Sequence, residues 1–303
     1  MSAVQANLRD RVAAVYEKAG AVRNGEKVEV LDHDRRFVKV RTSTGAIGWI
    51  EQRYLVSQEV FDQMQQLTKE NLNDPVQGLA TTRNDTNLHV EPGRDSEHLY
   101  QISTGEKVSL LKRVTAEKPN TVVAPRPGAK SSEKKEPMPV VEDWWLVRDS
   151  HDRVGWVLGR MADLDVPLDI AQYAEGQRIV AFFVLNDVQD GDKKVPQYLT
   201  VLTEPKDGLP FDFNQVRVFT WNLRRHRYET AYRERFEGML PVAISHENFE
   251  KEGTLPVFTV RVRDDNGNVT ERKYKLNTPI VRRVYAPGEE PQRTAPRKSR
   301  RKH

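Results

Sequence analysis

The sequence predicts a mainly β protein: two small barrels joined by a short helix, followed by an antiparallel β-sandwich or barrel domain. Three observations predict this class. Short apolar runs alternate with polar residues at a period of two along most of the 303 residues, which is typical of half-buried strands. Several fragments of the first part of the chain recur at a constant spacing. Between the repeated parts, apolar residues stand at helical spacing.

A duplicated segment is the strongest of these signals. Two fragments recur at a separation of 80 residues, and two later ones recur at a separation of 107. An offset that changes once is typical of a duplicated domain with one expanded loop, here between Leu111 and Trp144. The pairs are Asn7-Leu8 with Asn87-Leu88, Gly25-Glu26-Lys27-Val28 with Gly105-Glu106-Lys107-Val108, Val40-Arg41 with Val147-Arg148, and Gly48-Trp49-Ile50 with Gly155-Trp156-Val157.

The two copies are predicted to span residues 1–56 and 80–165. In each, runs of four to six residues alternate between apolar and polar and are separated by Gly, Asp or Asn. This pattern predicts short strands that close into a small barrel. Gly48 and Gly155 lack a Cβ, so we expect the strand to bend sharply at these positions, where the barrel closes.

The linker at 57–79 is predicted to be helical. Its apolar residues Val60, Phe61, Met64 and Leu67 are spaced as on one helix face. Ser57 supplies an N-cap, and the proline at position 75 limits the C-terminal end. We expect this helix to pack on one barrel; dimerisation through its apolar stripe is the alternative.

The second copy contains a proline-rich insertion at about 114–142, which we expect to form an exposed loop. The C-terminal region at 168–286 is predicted to be an all-β domain of about seven antiparallel strands, with separate strands at 228–232 and 240–244. Within it, Asn266-Gly267 predicts a type I′ turn. The region resembles no known domain, and its architecture alone indicates no function.

The order of motifs in each copy resembles the bacterial SH3 (SH3b) family. These motifs are Asn-Leu, Gly-Glu-Lys-Val, an aromatic residue three positions before Val, Gly-Trp and, in the first copy, Tyr54-Leu55. Phe37 stands where the family usually has Trp, and the stretch after each Asn-Leu departs from the family pattern. The resemblance implies binding of peptidoglycan peptides or of an extended segment of another protein, rather than catalysis.

Aromatic side chains of the two copies are the candidate ligand-binding residues, because a rigid apolar platform binds a peptide at low entropic cost. The alternative is that they belong to the core, which we favour for Trp49 and Trp156. For Trp144, exposure and burial are evenly balanced, since its neighbour Trp145 points to the opposite face. The candidates are Tyr16, Phe37, Trp49, Tyr54, Tyr100, Trp144 and Trp156.

No catalytic or metal-binding constellation is found, and no cofactor is expected. The absence of cysteine excludes thiol nucleophiles, including the cysteine peptidases that often accompany SH3b repeats. The seven histidines include no pair with the spacing of a zinc site. A charge-rich segment from Arg224 to Arg235 is best explained as a solvated face, although an anion site or a hydrolase using Glu229 or Glu234 remains an alternative.

The net charge of +4 comes from the basic tail at 287–303, because the rest of the chain is neutral. We therefore expect no specific nucleic-acid binding by the folded body, and at most weak, salt-dependent contact of the tail with polyanions. No apolar run is long enough to span a bilayer. The tail candidates are Arg297, Lys298, Arg300, Arg301 and Lys302.

Two functions of different class, and a third variant, fit these observations. The first is a non-enzymatic binding or adaptor protein of the cell envelope that uses both SH3b copies, whose weak sites would gain affinity by acting in tandem. The second is an envelope hydrolase with its active site in the C-terminal domain. The third is a cytosolic scaffold. The first residues show no export signal, so the location is periplasmic only if a signal was removed, and otherwise cytoplasmic.

Overall fold

The computed structural model describes residues 5–13, 15–119, 140–264, 266–286 and 288. Antiparallel sheets dominate it, and one long helix follows the first sheet. The mainly β prediction with two small barrels, a connecting helix and an antiparallel C-terminal domain is confirmed. Among the described residues, no helix combines the length and hydrophobicity needed to cross a membrane.

The first barrel is a five-stranded antiparallel sheet in the order β2-β1-β5-β4-β3. Alternate residues point inward, and Leu8, Val22 and Val40 are fully buried in its core. A short 3₁₀ turn at Gln52–Tyr54 ends the unit. The strands are β1 (Gln5–Arg9), β2 (Lys18–Arg23), β3 (Val28–Asp34), β4 (Phe37–Thr42) and β5 (Ile47–Glu51).

Helix α1 (Gln58–Asn71) connects the barrels and begins where the sequence predicts. The Ser57 hydroxyl accepts a hydrogen bond from the Val60 N–H at 3.2 Å, which satisfies one of the free donors of the first turn. The helix packs on the second barrel: Met64 is fully buried, and the Thr68 hydroxyl accepts from the Val154 N–H at 3.1 Å.

The second barrel is a seven-stranded sheet in the order β12-β6-β9-β10-β11-β7-β8. Its strands are β6 (Gly78–Thr82), β7 (Thr86–His89), β8 (His98–Ile102), β9 (Lys107–Glu117), β10 (Val141–Arg148), β11 (Val154–Leu158) and β12 (Ala162–Leu164). Strands β7 to β11 repeat the neighbour order of β1 to β5, whereas β6 and β12 are additional. Most of the proline-rich insertion lies outside the described residues, and its ends lengthen β9 and β10.

The two barrels share their irregularities as well as their strand order. The register of the β3–β4 pair shifts between Val30 and Asp32, and that of the β9–β10 pair shifts at the corresponding place in β9. A Cβ built on Gly48 would lie 2.8 Å from the Cβ of Leu8, and one built on Gly155 would lie 2.7 Å from that of Leu88. At both positions only glycine allows the two strands to approach so closely.

The C-terminal domain is a single seven-stranded sheet in which each strand pairs with the next along the chain. It curls into a half-barrel whose two end strands are not paired with each other. After a short helix, α2 (Leu168–Ala171), the strands are β13 (Arg178–Asp190), β14 (Lys193–Thr203), β15 (Phe213–Asn222), β16 (Arg227–Asn248), β17 (Thr254–Arg263), β18 (Val269–Asn277) and β19 (Ile280–Val284).

Two details of this domain differ from the sequence prediction. The segments expected as separate strands at 228–232 and 240–244 form one strand, β16, because Gly238 lets the chain pass directly against the Phe213 ring and bend without ending. The expected two-residue turn at Asn266-Gly267 is wrong. Asp264 and Asn268 still pair through their backbones at 2.9 Å, so the loop has three residues, with Gly267 at a φ of 84°.

The hydrophobic core of the second barrel is continuous with that of the half-barrel and with helix α1, whereas the first barrel has a core of its own. Burial of one shared apolar core joins the last two units. The first barrel contacts the second through a turn, where the Asn24 side-chain amide donates to the Leu99 carbonyl at 2.7 Å.

Candidate ligand-binding face

The solvent side of the first barrel carries most of its predicted ligand-binding residues. Because side chains alternate along a strand, residues between the core positions share this side. The register places Arg9, Trp49 and Lys39 next to one another across β1, β5 and β4, with Phe37 opposite Glu51 one step away. We call this surface the aromatic face; it comprises Arg9, Tyr16, Arg36, Phe37, Lys39, Trp49, Glu51 and Arg53.

Rings and guanidinium groups alternate across the aromatic face. The Arg9 guanidinium lies 4.1 Å from the centre of the Tyr16 ring and 4.9 Å from that of Phe37. The Arg36 guanidinium also lies over the Phe37 ring, 5.3 Å from its centre. Phe37 is only 5% exposed although it does not belong to the barrel core, whereas Tyr16 is 37% exposed. Each cation–π contact stabilises the arrangement by about 0.5–1 kcal/mol.

The charges of the aromatic face are not balanced. Glu51 accepts ion pairs from Arg9 at 3.4 Å and from Arg53 at 2.8 Å. Arg36 and Lys39 form no ion pair with any described residue; both contact aromatic rings instead, Lys39 at 5.9 Å from the Trp49 ring centre. The face therefore presents two cations with unused hydrogen-bond donors.

An open cleft of about 390 Å³ lies at one end of the face. It is lined by Arg36, Glu51, Gln52 and Arg53. Tyr54 lies beside it and packs against the barrel core, while its hydroxyl accepts from Arg53 at 2.9 Å. Tyr54 thus supports the position of Arg53. Trp49, for which we favoured a core position, is instead half-buried on the solvent side and lies outside the barrel core, because its strand position alternates with the inward residues Gly48 and Ile50.

The corresponding face of the second barrel has a histidine in place of Arg9. His89 pairs with Trp156 in the register, as Arg9 pairs with Trp49. Burial lowers the pKa of His89 below its ordinary value, and nearby His98 lowers it further, although a hydrogen bond to the Ser96 carbonyl acts in the opposite direction. The imidazole is therefore neutral at pH 7 and replaces a permanent guanidinium charge.

The remaining candidates on this barrel are buried or half-buried. Trp144 is 2% exposed and contacts the His89 ring edge-on, with 5.3 Å between the ring centres. Its neighbour Trp145 is buried too, at 7%, in the shared core on the opposite face. Trp144, for which exposure and burial were equally expected, is therefore buried, because the side chains on both faces of β10 are buried.

Helix α1 contacts Trp156, which stays half-buried, and the helix and the first barrel together cover Tyr100. Leu67 of the helix packs in the cluster that includes Trp156. Tyr100 is 7% exposed; the Gln65 side-chain amide donates to its hydroxyl at 3.3 Å, and a Cβ built on Gly25 would lie 3.2 Å from its ring. Burial raises the pKa of Tyr100. Tyr100 thus belongs to the contact between the two barrels.

A second cavity, of about 450 Å³, lies between the second barrel and the half-barrel. The Arg113 side chain, 3% exposed, forms ion pairs with Asp143 at 2.7 Å and with Asp212 at 3.0 Å. Arg178 from the half-barrel also pairs with Asp143, at 2.9 Å. These pairs link β9 and β10 to the C-terminal sheet, and burial makes each partner costly to remove.

The carboxylates of this network have opposite pKa shifts. Burial raises the pKa of Asp212 above its ordinary value. Burial has the same effect on Asp143, but hydrogen bonds from Arg113 and from the Gly208 N–H, together with nearby positive charges, outweigh it and lower the pKa of Asp143. Sequence reasoning missed this network because its members lie far apart in the chain; an arginine at an inward position of β9 was the one available signal.

The charge-rich segment from Arg224 to Arg235 forms exposed ion pairs, as expected for a solvated face. Glu229 accepts from Arg225 at 3.1 Å and from Arg227 at 3.2 Å. No group of three or more potential metal ligands occurs among the residues that the structure describes. The tail candidates Arg297, Lys298, Arg300, Arg301 and Lys302 lie outside the described residues.

Comparison with known proteins identifies one domain. A family model described as a bacterial SH3 domain matches residues 4–56, the first barrel. The C-terminal domain is not recognised. A search of curated proteins found no match. A similar solved structure is an NlpC/P60 family protein from Bacillus cereus ATCC 10987, at 13% identity and a TM-score of 0.19, covering 86% of this chain and 77% of that chain. Similarity at this TM-score supports no conclusion about fold or function.

Proposed function

We propose that this protein is a non-enzymatic binding protein of the cell envelope, and that the aromatic face of its first barrel binds an extended peptide bearing carboxylates. Cell-wall peptides are the first candidates, and an acidic segment of another protein is the alternative. One observation carries the proposal: a bacterial SH3 domain exposes aromatic rings beside two cations, Arg36 and Lys39, that form no ion pair with any described residue.

The chemistry of the face suits such a ligand. The partly open rings of Tyr16 and Trp49 offer rigid apolar area at low side-chain entropy cost. Arg36 can donate two parallel hydrogen bonds to a carboxylate, while Lys39 supplies a point charge further along β4. Because Glu51 is already held by Arg9 and Arg53, it does not compete for these donors.

We also propose that residues 80–165 are a second SH3-like copy that has become a structural unit. The repeated strand order, register shift and glycine approach support this proposal. Tyr100 and Trp144 are buried and Trp156 packs against helix α1, so we infer that the two copies do not act as equal binding sites in tandem. The second copy instead presents the first on a rigid body formed with the half-barrel.

The binding proposal is tested with the full chain and purified peptidoglycan sacculi in a sedimentation assay. We expect Trp49→Ala and Lys39→Gln each to weaken binding by roughly tenfold, since hot-spot residues typically contribute more than 1 kcal/mol. Lys69→Gln is the matched control, because Lys69 is an exposed lysine of helix α1, away from the face. Wild-type binding by Trp49→Ala, or binding that disappears when the five tail cations are replaced, would contradict the proposal.

A hydrolase remains the alternative function, and the cavity beside Asp143 is where it would act. Every carboxylate that lines this cavity is held by an arginine: Asp143 by Arg113 and Arg178, Asp163 by Arg83, and Asp207 by Arg178. This arrangement favours a structural role over acid–base chemistry. Release of soluble fragments from sacculi by the wild-type protein, and its loss in Asp207→Asn, would favour the hydrolase instead.

The envelope location is part of the same proposal, with a cytosolic scaffold as the alternative. It rests on the SH3b resemblance of the first barrel. Fractionation of cells that express the full-length gene, followed by immunodetection, distinguishes the two: a binder of wall peptides must be recovered outside the cytoplasm.

A further inference from the structure

A groove of about 280 Å³ runs along the first barrel between strand β3 and the chain that leads into helix α1. One wall is formed by Gly25–Val28 and Val30, and the other by Leu55–Gln58 and Phe61. Strand β3 is the edge of its sheet, so the backbone groups that face this groove have no strand partner among the described residues.

The second barrel shows what fits into such a groove. There the strand equivalent to β3 is β9, and the segment equivalent to Leu55–Ser57 is β12, at the offsets of 80 and 107 that relate the two copies. Strand β6 lies between them and pairs antiparallel with both. The groove of the first barrel is therefore the position that a strand occupies in the second.

Burial of the edge strands differs accordingly. Val108 and Leu110 of β9 are each 2% exposed in the presence of β6. Their equivalents in the first barrel are Val28, which is half-buried, and Val30, which is 50% exposed although it lies opposite the core residue Val40. An inward-facing valine left half open on an edge strand is apolar surface that an added strand would cover.

We propose that this groove binds an extended polypeptide segment, which adds to β3 as an antiparallel strand, as β6 adds to β9. Backbone hydrogen bonds would supply much of the affinity. In the second barrel the Gln77 N–H donates to the Leu110 carbonyl at 2.8 Å, so the Val30 carbonyl is the equivalent acceptor. This site is separate from the aromatic face and does not depend on the function proposed for it.

The neighbours of β6 indicate the side chains that the segment carries. Gly78, Ala80 and Thr82 are the buried positions of β6, so small residues alternate with outward-facing ones. A Cβ built on Gly78 would lie 2.5 Å from the Leu164 side chain, but the first barrel has Ser57 at that position. A small or medium apolar residue is therefore accepted there.

Charge argues against a second copy of this chain as the occupant. Two β3 strands paired antiparallel about a two-fold axis would bring Glu29 and Asp32 of one copy close to the same residues of the other. Like charges on directly opposed strands are unfavourable. A partner peptide with uncharged residues at the buried positions avoids this repulsion.

The probe is a synthetic peptide with the sequence of residues 76–83, which contains β6, labelled for fluorescence anisotropy with the full chain. We expect saturable binding and slowed amide hydrogen exchange in the peptide that contains β3. The matched control peptide carries Gly78→Pro and Ala80→Pro, which remove two backbone donors. It should bind at least tenfold more weakly. Equal binding of the two peptides, or no binding of either, would overturn the proposal.

Protein variants locate the site. Val30→Glu should weaken binding of the probe at least tenfold, because it places a charge in the groove. Ile47→Glu is matched to it, since Ile47 is a strand residue of the same barrel with similar exposure, 43%, and does not line the groove. It should bind normally, as should Trp49→Ala, which separates this site from the aromatic face. Unchanged binding by Val30→Glu, or a wild-type dimer that Val30→Glu dissociates, would contradict the proposal.

Discussion

The two barrels have the same strand order, yet their exposed surfaces have diverged. In the first, the solvent side of β4 and β5 carries Lys39 and Glu51 beside open aromatic rings. In the second, the equivalent positions are Leu146, which is buried, and Leu158, which is half-buried. Each barrel keeps its inward residues, which specify the fold, while these two outward positions are charged in the first barrel and leucine in the second.

The same comparison holds along the sheet edges. The edge equivalent to β3 is covered in the second barrel by β6 and β12, and the core beyond it merges with that of the half-barrel. The first barrel keeps its edge and its own small core. We therefore expect substitutions in the two barrels to have unequal effects on stability and on hydrogen exchange.

The largest difference is expected at position 113 and its equivalent, position 33. Arg113→Met should destabilise the second barrel and half-barrel by about 3–5 kcal/mol, because it leaves the carboxylates of Asp143 and Asp212 buried without their partner. His33→Met, at an exposed position, should change stability by less than about 0.5 kcal/mol. Thermal unfolding followed by calorimetry checks both; equal effects would show that the buried network contributes little.

A smaller effect is expected at the two glycines where strands approach closely. Gly48→Ala and Gly155→Ala should each cost about 1–3 kcal/mol, because the new methyl group meets a leucine Cβ at less than 3.0 Å. The two substitutions should destabilise regions of different size. Hydrogen exchange should increase only within the first barrel for Gly48→Ala, and across the shared core for Gly155→Ala. If hydrogen exchange in Gly155→Ala increases only in the second barrel, then the second barrel and the half-barrel do not unfold cooperatively through their shared core.

Loss of the helix cap should destabilise helix α1 and its packing on the second barrel more than it destabilises the first barrel. Ser57→Ala should cost about 1 kcal/mol, since the Val60 N–H loses its acceptor. Hydrogen exchange in α1 and β11 should rise, with the strands of the first barrel unchanged. Ser43→Ala, an exposed serine of the first barrel, is the control.

Acid should also distinguish the two parts of the molecule. The folded-state pKa of Asp143 lies below the ordinary carboxyl value, so its charged form stabilises the fold above that value, and this contribution is lost as the pH falls through the folded-state pKa. The raised pKa of Asp212 acts in the opposite direction and reduces the net effect. Between pH 5 and pH 2, Asp143→Asn should flatten the pH dependence of the unfolding midpoint of the second barrel.

The strand pattern and the shared strand order of the two barrels were readable from the sequence because each depends on local or periodic information. Alternation predicted the strands, the offset of 80 predicted equivalent positions, and Ser57 marked the start of α1. Strand β6 was missed because Gly78 and Thr82 give it little apolar alternation, and it becomes a strand only through its pairing with β9 and β12.

The sequences of the two barrels do not predict which barrel has an exposed aromatic surface. The sequence by itself determined the barrels and the helix between them, since these follow from periodicity and from glycines at close approaches. Only the tertiary structure decided that helix α1 packs against Trp156 and that Tyr100 lies between the two barrels. It also decided that Arg113 forms an ion pair with Asp212, which is nearly a hundred residues away in the sequence. Such contacts depend on how separate apolar surfaces pack together, and no local pattern encodes that choice.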